Sequence, residues 1–289
     1  NGAIEKTFIA FSELCKKALR SRVTAVSGLC SKWLDSLLST VIVEDAYTLR
    51  RSAGIPFCFI GILYAETDGG QRPLMKRAVE TLLEIASSDT SSDVTGRIHS
   101  LNVLRSLIKD TELSLDVMPY VAPAFVTAIR GAQSSEWGIT NSSSQLFAAL
   151  IARSMGRQRV NDNTARAGVT VRNSFVCSLM CQLSKQFLLQ AVEFFNRFPE
   201  LQPFVLATLR EAEGLSSHAT VDPGAYNALL LLSKLLPSVT TTEGNLLLEA
   251  FVPIVGTCCE HKNYMLRCVS AAALAPLIPE DEILAHISK

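Results

Sequence analysis

Apolar residues recur at steps of three and four along most of the chain. Between Glu5 and Leu19 they fall at Phe8, Phe11, Leu14, Cys15 and Ala18. Between Val23 and Val43 they fall at Val26, Leu29, Cys30, Trp33, Leu37, Leu38 and Val41. That spacing marks one face of an amphipathic helix. The same pattern predicts helices over Tyr47–Ala65, Pro73–Ala86, His99–Lys109, Asp116–Gly131, Trp137–Met155 and Asn173–Phe198. It continues over Pro199–Glu211, Pro223–Leu236, Gly244–Glu260, Asn263–Leu277 and Asp281–Ser288. Pro73 suits the first turn of its helix, Ser92 or Asp93 is placed to cap the next one, and Gly131 reads as a C-cap. Sustained period-two alternation is absent and β-branched residues do not cluster, so the fold class is all-α.

The helices repeat as well. Arg51-Ser-Ala-Gly-Ile-Pro, Asn141-Ser-Ser-Ser-Gln-Leu and Arg267-Cys-Val-Ser-Ala-Ala each run from a long polar residue through small ones to an apolar face. His99 and Tyr226 open similar stretches. The anchors at 51, 99, 141, 226 and 267 lie 48, 42, 85 and 41 residues apart. The double step places one further unit near residue 184. A period of about 40–47 is that of helix pairs in HEAT and armadillo arrays. Residues 1–289 therefore read as one continuous helical-repeat region, a HEAT/armadillo-like α-solenoid, whose usual work is binding.

One stretch breaks the pattern: Arg50-Arg51-Ser52-Ala53-Gly54-Ile55-Pro56. Pro56 lacks an N–H, and within a Tyr47–Ala65 helix its ring would crowd the Ser52 carbonyl and bend the helix. Ser52, Ala53 and Gly54 leave room for another backbone. Adjacent arginines on a helix point about 100° apart, so they do not share one carboxylate. Two readings stand: a helix start with solvated or salt-bridged arginines, or a recognition point for phosphate or an acidic surface.

Charge changes the picture only locally. The chain has 27 Lys plus Arg and 27 Asp plus Glu, so net charge makes no case for nucleic acid. Arg153, Arg157, Arg159, Arg166 and Arg172, however, stand against Asp162 alone, and 156–172 reads as a basic loop. It is either a solvated surface loop or a set of phosphate contacts that position RNA without reading its sequence. Eight cysteines sit mostly inside apolar helical runs with no paired framework, which suits reduced thiols in a cytosolic or nuclear protein. The N-terminus carries no signal-peptide pattern, and no apolar run reaches membrane-spanning length. A helical pattern begins at once, as in a fragment of a longer protein.

Catalytic chemistry finds little support. Cys258, Cys259, His261 and Cys268 are close in sequence, but adjacent cysteines diverge and Cys268 belongs to the next helix, so buried thiols are expected rather than zinc. The chain lacks G-x-S-x-G, G-x-x-x-x-G-K and G-x-G-x-x-G, and its four histidines stand alone. No enzyme, metal or cofactor is predicted.

Four ordered motifs resemble the thyroid adenoma-associated protein (THADA) family of large helical-repeat proteins. They are Arg50 to Phe57; Leu101-Asn-Val-Leu-Arg105 with Asp110-Thr111; Trp137 with Asn141-Ser142-Ser143; and Phe194-Phe-Asn-Arg-Phe-Pro199. The resemblance runs from about Phe8 to the C-terminus. It implies a cytoplasmic, non-catalytic partner of a tRNA ribose 2′-O-methyltransferase, helping that enzyme address position 32 in the anticodon stem-loop of tRNA. Arg50, Arg51, Ser52, Ala53, Gly54, Ile55 and Pro56 would then support the activity through enzyme docking or tRNA placement. The competing expectation is a protein scaffold without an RNA role, such as a regulator of a membrane calcium pump. Residues 173–191 depart from the family pattern and read as an insertion, either of the lineage or from a retained intron.

Overall fold

Prolines, short polar caps and single glycines decide where the helices begin and end. The computed structural model describes residues 2–42, 54–66, 71–88, 94–155, 190–213, 221–236 and 246–278. The helices of the first half are α1 (Gly2–Leu19), α2 (Thr24–Ser27), α3 (Leu29–Ile42), α4 (Ile55–Ala65), α5 (Pro73–Ser87), α6 (Val94–Lys109), α7 (Val121–Gly131) and α8 (Trp137–Met155). Those of the second are α9 (Ala191–Arg197), α10 (Leu201–Glu213), α11 (Pro223–Leu232), α12 (Leu246–Glu249), α13 (Phe251–Cys259) and α14 (Tyr264–Leu274). Among the described residues, β structure is limited to the single bridge between Gln190 and Leu236.

Several predicted helices divide. Val23–Val43 becomes α2 and α3, separated by Gly28, whose weak helix propensity costs about 1 kcal/mol against Ala. Asp116–Gly131 becomes a 3₁₀ turn at Met118–Tyr120 followed by α7, with Pro123 in the first turn of α7, where an N–H lacks an intrahelical partner anyway. Gly244–Glu260 becomes α12 and α13, because the Pro253 ring would meet the Glu249 carbonyl in an unbroken helix. Gly131 is not a cap. It is the last residue inside α7, and Ala132 at φ −67° continues right-handed. The predicted helices over 173–189 and 281–288 lie outside the described residues.

Local caps are specific. Asp222 Oδ1 accepts the Ala225 N–H at 2.7 Å, and Asn263 Oδ1 accepts the Met265 N–H at 2.9 Å. Gln190 and Glu193 form a capping box at the start of α9, and the Ala191 N–H donates to the Leu236 carbonyl at 3.1 Å. The last two residues of the predicted insertion, Gln190 and Ala191, are thus tied into the second half of the chain.

The chain forms two units, 1–150 and 151–289. In the first, α5 packs on α6 and on α7, while α4 packs on α1, α3 and α6. In the second, α10 packs on α11, α13 on α14, α10 on α13 and α11 on α14. First helices thus stack on first helices and second on second, as in a solenoid. The anchors His99, Asn141, Tyr226 and Arg267 all fall four to six residues into a second helix: α6, α8, α11 and α14. The small residues after them are buried: Ser100, Ser142, Ser143, Ala228 and Ser270. Small side chains there let neighbouring helices approach, which is why the pattern recurs.

Candidate functional site

The Arg50–Pro56 stretch enters the described structure at Gly54. Arg50, Arg51, Ser52 and Ala53 lie outside the described residues. Gly54 is the N-cap of α4, and its carbonyl accepts the Phe57 and Cys58 N–H groups at 3.1 and 3.3 Å. Pro56 sits in the first turn, where it opens the helix rather than bending it, so the expected continuous helix from Tyr47 with a kink is replaced by a start at Ile55. Among the described residues no close approach is seen at Gly54: nothing lies within 4 Å of where its Cβ would stand. One is seen at Gly61, where an added Cβ would lie 2.8 Å from Phe11 Cδ1 and 3.3 Å from Ser12 Oγ.

α4 is the central helix of its unit. Ile55, Pro56, Phe59 to Leu63 and Ala65 are all buried. It runs antiparallel to α1, as three contacts in register show. The Phe8 ring is 5.8 Å from Tyr64, Phe11 and Ser12 face Gly61, and the Cys15 thiol is within electrostatic reach of Cys58. Gly54 therefore lies at the end of the unit where α1 finishes. Phe57 is partly exposed beside it, its ring 5.9 Å from Phe8.

The other end of α4 carries a polar brace that the hydrophobic pattern did not reveal. Glu66 Oε1 and Oε2 accept the Leu74 and Met75 N–H groups at 2.7 and 2.9 Å, capping α5. Arg72 reciprocates: its Nη2 donates to the Leu63 and Glu66 carbonyls at 2.7 and 3.1 Å, and its Nη1 pairs with Asp116. Nearby, the Tyr64 hydroxyl donates to Asp110 Oδ2 at 2.8 Å. Burial, helped by that bond, pushes the Tyr64 phenol well above its usual range. The available signal was an acid and a base flanking a glycine-rich turn before a helix-opening proline.

Arg153 lies half-buried in the last turn of α8; Arg157, Arg159, Arg166 and Arg172 lie outside the described residues. The other resemblance motifs are mostly core. Leu101, Val103 and Leu104 are buried. Phe194, Phe195 and Phe198 are buried too, with the Phe195 ring stacked on Phe251 at 5.8 Å. Trp137 is the exception, 78% exposed at the start of α8. Cys15 and Cys30 are buried free thiols, and burial pushes Cys15 up to about 12. Cys268 is exposed, contrary to the expectation of a buried thiol, and Cys258 and Cys259 are half-buried. Among the described residues no group of His, Cys, Asp and Glu is placed to hold a metal ion, and no helix is long and apolar enough to cross a membrane.

These features define a helical-repeat protein of the α-solenoid class, with an arginine-bearing segment preceding its largely buried helix α4. The family model described as THADA/TRM732 matches residues 1–138, and that described as Trm732, C-terminal TPR repeats, matches residues 180–289. The chain belongs to the THADA/Trm732 family. It is 34% identical over 98% of its length to the mouse protein named tRNA (32-2′-O)-methyltransferase regulator THADA, and 32% identical over 98% to the dog protein of that name. It is 26% identical over 96% of its length to the regulator trm732 of Schizosaccharomyces pombe. The chain spans 14% of the length of the mouse and dog proteins and 18% of the yeast one. No solved structure matches it.

Proposed function

We propose that this chain is part of a non-catalytic adaptor that supports 2′-O-ribose methylation at position 32 of the tRNA anticodon loop. A separate cytoplasmic methyltransferase performs the transfer; the solenoid docks that enzyme or places its tRNA. The observation that carries this reading is the likeness, over nearly the whole chain, to proteins named regulators of that methyltransferase. The fold supports it: stacked helix pairs provide extended binding surfaces.

Within this reading, Arg50 to Pro56 is the segment that supports the enzyme. Ile55 and Pro56, buried at the start of α4, anchor its C-terminal end to the core. Arg153, Arg157, Arg159, Arg166 and Arg172 add phosphate contacts, and residues 173–191 are an insertion relative to the family pattern.

The test is ribose methylation at tRNA position 32 in cells lacking the full-length protein. Wild type is expected to restore it, and Arg50→Ala/Arg51→Ala is expected to fail while keeping the wild-type circular dichroism spectrum. Full methylation without the protein would overturn the adaptor reading. Equal rescue by both forms would remove the role of the two arginines.

A further inference from the structure

The strongest unassigned feature of the described surface is cationic. Lys16, Lys17, Arg20 and Arg22 follow one another through the end of α1, and Lys32 lies in the first turn of α3. The two elements meet here: Cys30, two residues before Lys32, points its Sγ at the Cys15 carbonyl 3.5 Å away. Lys17, Arg20, Arg22 and Lys32 are all exposed. Among the described residues two carboxylates face the corner, and each is engaged, Glu13 also attracting Lys17 and Arg20. Glu13 binds Lys16 at 3.0 Å, and Asp35 binds Arg77 of α5 at 3.4 Å. Arg77 is held further by the Ser31 hydroxyl at 2.9 Å. Four cations thus remain beyond the two ion pairs, in a chain whose total charge is zero.

Helix electrostatics account for part of this. The C-terminal turn of α1 favours cations by about 0.3–1 kcal/mol each, which suits Lys16 and Lys17. Arg22 lies past the helix, and Lys32 sits at the positive N-terminal end of α3, where the dipole disfavours it. The antiparallel register of α1 and α4 adds a third fact. Gly54, the residue through which Arg50 to Ala53 join the fold, lies at this same end of the unit.

We propose that the α1–α3 corner, presenting Lys17, Arg20, Arg22 and Lys32, is a docking surface for the phosphate backbone of RNA. The inference rests on the adaptor reading for the identity of the RNA, which is tRNA. Lysines and arginines on separate turns match a row of phosphates, and with no stacking aromatic free beside them among the described residues the surface positions the strand rather than reading its bases. Trp33, next to Lys32 in the chain, packs at 5.9 Å on Phe11.

The experiment is fluorescence anisotropy of labelled tRNA with the full-length protein, wild type against Lys17→Ala/Arg20→Ala/Arg22→Ala/Lys32→Ala. Each phosphate contact contributes about 0.7–0.9 to the slope of log affinity against log salt, so the variant should lose about 3 units of slope. Between 50 and 200 mM salt, wild type should therefore lose about 60-fold more affinity than the variant. The exchange Lys17→Arg/Lys32→Arg should keep wild-type binding. Unchanged affinity and slope in the alanine variant, or no tRNA binding by wild type, would overturn the proposal. So would binding of polyglutamate as tight as that of tRNA, which would assign the corner to an acidic protein. The adaptor reading fails separately, if methylation at position 32 does not depend on the protein.

Discussion

Of the described glycines, Gly131 of α7 leaves the least room for a side chain, against α8. A Cβ added at Gly131 would overlap Ser143 Oγ, lie 3.1 Å from Ser143 Cβ and stand 3.7 Å from Ile139 Cγ2. Ser143 is fully buried and its hydroxyl has no hydrogen-bond partner, so it has no open space to turn into. Gly131→Ala should therefore overpack the contact, at a cost of about 1–3 kcal/mol. The better helix propensity of alanine offsets less than about 1 kcal/mol of this at the last position of a helix. Ser143→Gly removes both crowding atoms, so the double variant should lose far less stability than the sum of the singles, with a coupling of about 1–2 kcal/mol. Both tryptophans, Trp33 and Trp137, lie in the unit formed by residues 1–150, so urea unfolding followed by their fluorescence reports on that unit. Additive effects within about 0.5 kcal/mol would refute the argument that small residues at the repeat anchors set the helix spacing.

Three further outcomes follow from the same geometry. Arg72→Met should destabilise the first unit by about 2–3 kcal/mol, because it frees two carbonyls and leaves Asp116 unpaired, and Arg72→Lys should recover only part of this in the same urea assay. Stability should fall as pH rises between about 9 and 12: the unfolded thiol of Cys15 ionises near 9 while the folded one holds its proton to about 12, so the folded state binds more protons across that window. Burial of Cys30, Cys58 and Tyr64 acts in the same direction, and a urea midpoint that stays level from pH 8 to pH 10.5 would contradict it. Asp222→Ala should cost about 1 kcal/mol at the start of α11, seen as faster hydrogen exchange of the Ala225 amide, and unchanged exchange would show that this cap contributes nothing.

Much of the fold was legible in the chain because helices are local. The three-and-four spacing of apolar residues sets which face is buried, and Leu146 and Leu150 of α8 are fully buried as that spacing requires. Repeat anchors were legible for a related reason. Stacked pairs demand small residues at equivalent places, so Ser100, Ser143 and Ser270 return to the same depth in α6, α8 and α14. Helix ends were less legible. Pro56 reads equally as a kink or a start, and only the Gly54 cap and the packing of α4 decide between them.

The sequence by itself determined the all-α class, the repeat anchors at His99, Asn141, Tyr226 and Arg267 and the family, since each is carried by residue spacing or by a run of neighbours. Tertiary structure alone decided that Gly61 meets another helix and that Glu66, Arg72 and Asp116 form one brace. It also brought Lys32 to the end of α1, where the cations of two helices share a corner. Those pairings join residues separated by up to about fifty positions, and loop length costs so little free energy that spacing along the chain does not foretell them. Packing selects them, by matching a glycine to a ring, a carboxylate to a helix end and a thiol to a carbonyl.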